Sequence, residues 1–426
     1  MATAQTTAPS KQSGDLRNYM LVTAAYWADT VTDGAIRMLV LFYFFQLGYT
    51  PFQVASLFIF YEVFGVITNL VGGWLGARLG LKATLFMGLG TQIVALSMLA
   101  LAPAAWLVAP YVMVAQAFSG IAKDLTKMSS KSAVKLVVAE DAPSTLYRWV
   151  ALLTGSKNAL KGVGFFLGGL LLTVAGFQAA LLILAGLVGV ALIGTALLMR
   201  GDLGQANKKA KFRQIFSNNR AVNLLAAARV FLFASRDVWF VVGLPVFLYT
   251  VVGWNFWQVG GFMAAWVIGY GAVQASAPSF LRRRVEGPGG EPDGKTATGL
   301  AFALAAFPAG IALALLAGAQ PTLVVVIGLI AFGAIFALNS AVHSYLILAY
   351  TDSDKVAMNV GFYYMANAGG RLAGTVLSGL LYQAFGLIGC LWASVAFVLA
   401  AGLISLLLPA SAGPRTRPIK LGKLAE

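Results

Sequence analysis

The sequence predicts an all-α membrane protein with twelve transmembrane helices in two six-helix bundles. Three observations predict it. The chain of 426 residues is 59% hydrophobic and only 11% charged, with a mean hydropathy of +0.81, whereas soluble domains carry about 25% charged residues. Apolar segments close to the roughly twenty residues that cross a bilayer recur about twelve times along it. A polar, basic stretch at 200–220 then splits those segments into two sets of six.

The elements follow from hydropathy and turn residues. A tail rich in Ala, Thr and Ser occupies 1–18, and no cleavable signal peptide is expected. The first span covers 19–47 and stops at Gly48-Tyr49-Thr50-Pro51, a turn followed by a helix start. The second span ends near 74, the third covers 83–102 and the fourth 106–122. The fifth covers 147–174, breaks at Gly176, and gives way to the sixth at 177–199. This first bundle is thus 19–199, with 200–220 as a basic linker. The second bundle, 221–408, holds spans at 223–249, 256–280, 298–317, 321–346, 356–385 and 387–408, and a tail follows at 409–426.

Orientation follows from the basic residues. Lys11, Arg17, Arg78, Lys82, Lys123, Lys127, Lys131, Lys135, Arg148, the 200–220 group, Arg282, Lys295, Lys355 and Arg415 fall on alternate connections or tails. The six opposite connections carry no Lys or Arg. That bias puts both termini in the cytoplasm, and the inner (cytoplasmic) membrane is the expected location. The formal net charge of +15 is therefore topology and not a nucleic-acid footprint.

Ten ionisable side chains interrupt the spans: Asp29, Asp33, Arg37, Glu62, Lys157, Lys161, Arg229, Arg236, Asp237 and Arg371. Each would cost roughly 2.5–3.5 kcal/mol at the bilayer centre. Together they would exceed a typical net stability of about 5–15 kcal/mol, so they must face a polar interior. Asp29, Asp33 and Arg37 are spaced i, i+4, i+8 on one helix face, and Lys157 and Lys161 share another. Six of the ten are cations, which suits an anionic ligand. Arg37, Lys157 and Lys161 from one half, with Arg229, Arg236, Arg371 and the neighbouring Asn367 from the other, form the candidate clamp. Asp29, Asp33, Glu62 and Asp237 are the candidates for proton coupling or ion pairing, with Asp33 the preferred proton carrier. Local pairs such as Arg37 with Asp33 and Arg236 with Asp237 are the structural alternative.

Several segments carry resemblances. The stretch Gly73-Trp74-Leu75-Gly76-Ala77-Arg78-Leu79-Gly80-Leu81-Lys82 resembles the cytoplasmic gating-loop signature of the major facilitator superfamily. Gly73, Arg78, Gly80 and Lys82 fit it, but Ala77 replaces the usual Asp. Gly155, Gly164, Gly168 and Gly169 resemble an antiporter signature, but its proline and closing glycine pair are absent, and close helix packing is the preferred reading. The segments 21–27 with 32–37, 119–127, 154–162 and 236–240 resemble the ArsJ-type organoarsenical efflux permeases, a likeness spread over most of the chain. It implies a major facilitator fold and a secondary transporter that exports 1-arseno-3-phosphoglycerate and so confers arsenate resistance. The functional partner it implies is glyceraldehyde-3-phosphate dehydrogenase, which makes that ester when arsenate replaces phosphate.

Other features exclude more than they assign. One cysteine, Cys390, and one histidine, His343, offer no metal cluster, and Cys390 reads as a packing residue. No cofactor is expected, and no Gly-x4-Gly-Lys-Ser/Thr loop is present for ATP. An enzyme is not expected, since the lone histidine lies in the tenth span, paired there with Asn339. Lys123, Lys127, Lys131 and Lys135 read as a solvated cytoplasmic face or an anion-attracting funnel. Trp106, Trp254 and Trp257 read as interfacial anchors. The rival functions are a proton-coupled exporter of drugs, which an acidic cavity would favour, and a carrier of another organic anion such as a sugar phosphate.

Overall fold

A computed structural model describes residues 11–133, 143–200, 219–282, 292–350 and 356–409. Among them there is no strand. The helices are α1 (Lys11–Gln46), α2 (Pro51–Ser56), α3 (Ile59–Leu79), α4 (Leu81–Leu101), α5 (Ala109–Ala133), α6 (Pro143–Leu198), α7 (Arg220–Phe240), α8 (Gly243–Thr250), α9 (Phe256–Arg282), α10 (Gly294–Leu316), α11 (Pro321–Ala349) and α12 (Val356–Ser405). Most of the linker, residues 1–10 and 410–426 of the tails, Lys135 and Lys355 lie outside the described residues, as do the side chains of Arg78, Lys131, Arg148 and Arg282; the expected tail at 1–18 is helical from Lys11 on.

Helix count and span count differ for physical reasons. Eight described stretches are long and apolar enough to cross a membrane, and two of these run to 43 and 44 residues, long enough to cross twice. Both double-length helices turn back at a glycine with positive φ, Gly176 (φ 76°) and Gly386 (φ 62°), a conformation that a Cβ would strain. The reversals show in the packing. Ser156 meets Trp27 and Phe177 stacks on Tyr43, yet Arg200 is back beside Asn18. Likewise Ser378 meets Val242, and Ser394 is back beside Ser235. Adding α1 and α5, whose charges keep them off an apolarity count, gives the expected twelve spans.

Two spans are broken. The second is the pair α2–α3, and α2 starts with Pro51 behind a capping box in which Thr50 and Gln53 satisfy each other's backbone amides. The seventh is the pair α7–α8. Its break frees the amides of Val242 and Gly243, and both donate to Ser378 Oγ of α12 at 3.2 and 3.0 Å. A helix interruption inside a membrane survives only when such groups find partners. The gating-loop segment is not a loop: Gly73 to Leu79 stay helical in α3, and Gly80 alone (φ 84°) turns the chain into α4. The side chain of Arg78 lies outside the described residues; Lys82 sits 5.9 Å over the Phe86 ring.

The fourth span needs a correction. It was expected to end at 122, but α5 continues to Ala133. Lys123 and Lys127 are therefore not a solvated face or funnel. Their side chains are 13% and 14% exposed and pair with the buried Asp124, at 3.9 and 2.5 Å. Asn69 of α3 accepts from Lys127 at 2.6 Å and donates to Asp124 at 3.2 Å.

Glycines set how closely α6 packs. A Cβ on Gly34 of α1 would meet the Lys161 carbonyl at 2.5 Å, and one on Gly164 would collide with the Val31 carbonyl. On another face, a Cβ on Gly162 would meet the Ala264 carbonyl of α9 at 2.8 Å. The glycines of the fifth span thus serve close backbone approach, both within the first bundle and across to the second.

Candidate functional site

One cavity of about 220 Å³ lies between the bundles. Arg37, Lys157, Lys161, Arg229, Arg236, Arg371 and Asn367 all line it. The structure thus brings the whole predicted clamp to one place, from α1 and α6 on one side and α7 and α12 on the other. Tyr26, Asn158, Gln274, Ser344 and Tyr364 add polar groups, and Phe165, Phe233, Phe240 and Trp266 add apolar wall. Among the described residues Asp237 is the one carboxylate in the lining.

The pairing is not the one spacing suggests. Arg37 does not bind Asp33; its Nη2 donates to Glu62 Oε1 of α3 at 2.7 Å. Arg371 Nη2 donates to the same carboxylate, at 2.7 Å to Oε1 and 2.8 Å to Oε2. Asp33 instead accepts from Lys161 Nζ at 2.9 Å and from the Tyr61 hydroxyl. Arg236 pairs with its neighbour Asp237 as expected, at 2.5 Å, and Arg371 Nε lies 3.8 Å from the other oxygen of Asp237. Tyr61 was not singled out in the sequence. It joins Asp33, the Arg37 guanidinium (5.0 Å over its ring) and the Lys123 ammonium (3.9 Å over its ring).

Arg229 is different. It is 5% exposed, and among the described residues no carboxylate lies within 4.0 Å of it. Its Nε donates to Asn367 Oδ1 and its Nη1 to the Ser340 carbonyl, both at 3.2 Å. The rings of Phe233 (4.0 Å) and Tyr363 (5.0 Å) support its planar face. Dipoles and rings position this guanidinium without neutralising it.

The acids divide in the same way. Asp29 is 1% exposed and has no ion pair among the described residues. Its Oδ2 accepts from Thr126 Oγ1 at 2.5 Å and its Oδ1 has no hydrogen-bond donor there. Asp33, Glu62 and Asp237 are each held by cations. Removing one member of a buried pair costs about 3–5 kcal/mol. Asp33→Asn is therefore expected to lower the melting temperature clearly, and Lys161→Met added to it to restore part of the loss. A melt in detergent of the single and double variants checks this, and additive losses would refute the pairing.

The other polar candidates lie elsewhere. Asn339 and His343 were read as a mutually satisfied pair; both are buried in α11, but Asn339 Oδ1 and Nδ2 and His343 Nδ1 make no hydrogen bond among the described residues. Neither lines the cavity. Cys390 is fully buried beside Ser378, as a packing residue would be. Among the described residues no group of His, Cys, Asp and Glu could hold a metal ion.

The bundles close on the cavity from the neutral end. Phe42 of α1 packs on Phe256 of α9 (centroids 4.7 Å apart), and Tyr249 of α8 stacks on Phe256 (4.8 Å). Gly379 of α12 touches Pro51 and Ala55 of α2, and the Phe52 amide donates to Gln383 Oε1 at 3.3 Å. Toward the basic end the bundles meet through Asn158 and Gln274, 3.4 Å apart.

Comparison with known proteins decides the family. The family model described as Major Facilitator Superfamily matches residues 22–344. This chain belongs to the major facilitator superfamily. Among solved structures, the nucleoside transporter NupG, crystallised as a point mutant, superposes with a TM-score of 0.69. The match covers 93% of this chain and 99% of that one at 13% sequence identity, a likeness of fold alone. Among curated proteins none matches this sequence. The chain is a multi-pass membrane protein with a secondary-transporter fold, and the inter-bundle cavity is where a superfamily member holds its small-molecule cargo.

Proposed function

We propose that this superfamily member exports an organic phosphate-type anion, with 1-arseno-3-phosphoglycerate as its cargo, and so protects cells from arsenate. The observation that carries the anion is Arg229: a guanidinium 5% exposed, facing a cavity, with no carboxylate within 4.0 Å among the described residues. A buried charge left unpaired is costly, and an anionic cargo supplies the missing charge. The five other cations of the lining support a cargo with more than one negative group. The proposed ester has an arsenate at one end of a three-carbon body and a phosphate at the other. Arg229 with Asn367 and Arg236 suits one end, and Arg37, Lys157, Lys161 and Arg371 the other.

Size and charge weigh against a drug exporter. Drug-sized pockets run to about 300–1,000 Å³, and this one is about 220 Å³ with six cations and one carboxylate among the described residues of its lining. A sugar phosphate satisfies the same chemistry, and the ArsJ-type segments favour the arsenical. In this reading the basic connections lie in the cytoplasm, the protein sits in the inner membrane, and the aromatic closure faces outward. Glyceraldehyde-3-phosphate dehydrogenase makes the cargo inside the cell. Arsenate resistance in cells carrying the permease, the dehydrogenase or both is the test. Resistance that needs both is expected; resistance from the permease alone, or to cationic dyes, would overturn the reading.

Asp29 favours proton coupling through a different residue than spacing suggested. Asp33 is held by Lys161 and Tyr61, whereas Asp29 has only Thr126. Asp33, Lys123 and Asp124 are charged groups around it. Asp29→Asn is expected to abolish the response of transport to a pH gradient across vesicles while cargo binding persists. A retained pH response would exclude Asp29 as the proton carrier.

A further inference from the structure

Two arginines of the cavity share one carboxylate. Glu62 of α3 is 1% exposed and bonds both Arg37 of its own bundle and Arg371 of the other. Both arginines line the cavity, and Glu62 does not. It therefore holds each guanidinium through Nη2 while both side chains still line the cavity. Arg371 has no closer acid: Asp237 lies at 3.8 Å and is already engaged by Arg236.

We propose that Glu62 is a tethered counter-anion that occupies the two arginines when the cavity is empty, so that the unloaded carrier can reorient and the protein carries out net transport instead of obligatory anion exchange. The proposal rests on the anion-carrier reading above. An alternating-access carrier passes through a state closed at both ends, in which the site is cut off from water. Two bare arginines in such a site would oppose that passage. A carrier without an internal anion can then cross only when loaded, which makes it an exchanger. Glu62 supplies that charge to Arg37 and Arg371 from within, while the Asn367 and Ser340 dipoles and two rings hold Arg229. A multiply negative cargo brings more charge than one carboxylate and takes N–H groups of the arginines, while Glu62 stays on Arg37. A pair that served packing alone would need no bond across to α12, the helix that moves with the other bundle. Net release also spares the cell from taking back the breakdown products, arsenate and 3-phosphoglycerate, as counter-anions.

The test uses the full-length protein in proteoliposomes loaded with radiolabelled 3-phosphoglycerate. Release is measured into a medium free of phosphate-type anions (net transport) and into one with unlabelled 3-phosphoglycerate (exchange). The parent protein is expected to support both. Glu62→Gln is expected to lose net release ~10-fold or more and to keep exchange within ~3-fold, the size of effect that a population shift of the empty state produces. Where Glu62→Gln fails to assemble, Glu62→Asp takes its place. Its shorter arm reaches one arginine, so the same selective loss is expected in smaller measure. Equal loss of both modes, or loss of neither, overturns the proposal, as does a parent that releases label only against external anion. A parent that neither binds nor moves 3-phosphoglycerate or inorganic phosphate strikes the anion-carrier reading, and this proposal falls with it.

Discussion

Arg229→Gln is expected to abolish anion transport while the ligand-free protein melts no lower than the parent. Both halves follow from one geometry. The guanidinium is buried, held by Asn367, Ser340 and two rings, and met by no carboxylate among the described residues. Removing the cation that a buried anionic cargo meets costs about 3–5 kcal/mol. At 1.4 kcal/mol per tenfold, binding should weaken by roughly two to three orders of magnitude. The same substitution relieves the empty protein of an unpaired charge and leaves a side chain that can still donate to Asn367. An essential structural residue would instead lower the melt. Arg229→Lys should fall between, because a point charge replaces the planar fork. Transport into proteoliposomes, with the thermal shift on adding 3-phosphoglycerate, reads both effects. Transport within ~3-fold of the parent would remove Arg229 from the binding site, since a buried counter-charge cannot be lost so cheaply.

The second large effect is expected at Gly379→Leu. A Cβ on this residue of α12 would collide with the Ala55 side chain and stand 2.5 Å from the Pro51 carbonyl. Neither can yield locally, because α2 starts at Pro51 behind the Thr50–Gln53 box. The strain is relieved when α2 and α12, which belong to different bundles, separate at the neutral end. The variant should therefore populate a form open there. Labelling of Ala55→Cys by a bulky maleimide reads this directly, since the sole native thiol, Cys390, is fully buried. Labelling ~10-fold faster and transport ~10-fold slower than in the Ala55→Cys parent are expected from a population shift of that order. Unchanged labelling with full transport would show that this contact does not close the path.

The spans, the two halves and the convergence of the buried cations were legible because hydrocarbon leaves charges no choice. A cation in an apolar segment has to face the protein interior, so Arg37, Lys157, Lys161, Arg229, Arg236 and Arg371 could be gathered without coordinates. Their partners were not legible. Spacing of i, i+4 pointed Arg37 at Asp33, but side-chain reach between packed helices brings in Glu62 of α3 and leaves Asp33 to Lys161 and Tyr61. Hydropathy also misplaced the end of α5. Lys123 and Lys127 read as a solvated cytoplasmic face because averaging along the chain hides that Asp124 neutralises them inside the bundle. The break between α7 and α8 is marked by Gly243 and Pro245 inside an apolar run, but the Ser378 hydroxyl that sustains it lies 135 residues away and was not legible.

Gly176 and Gly386 each reverse the chain at a single residue, and the other four connections at that end are nearly as brief. A face stitched so tightly offers antibodies, proteases and fused reporters almost no slack backbone to seize. Tags intended to reveal sidedness therefore belong away from this face.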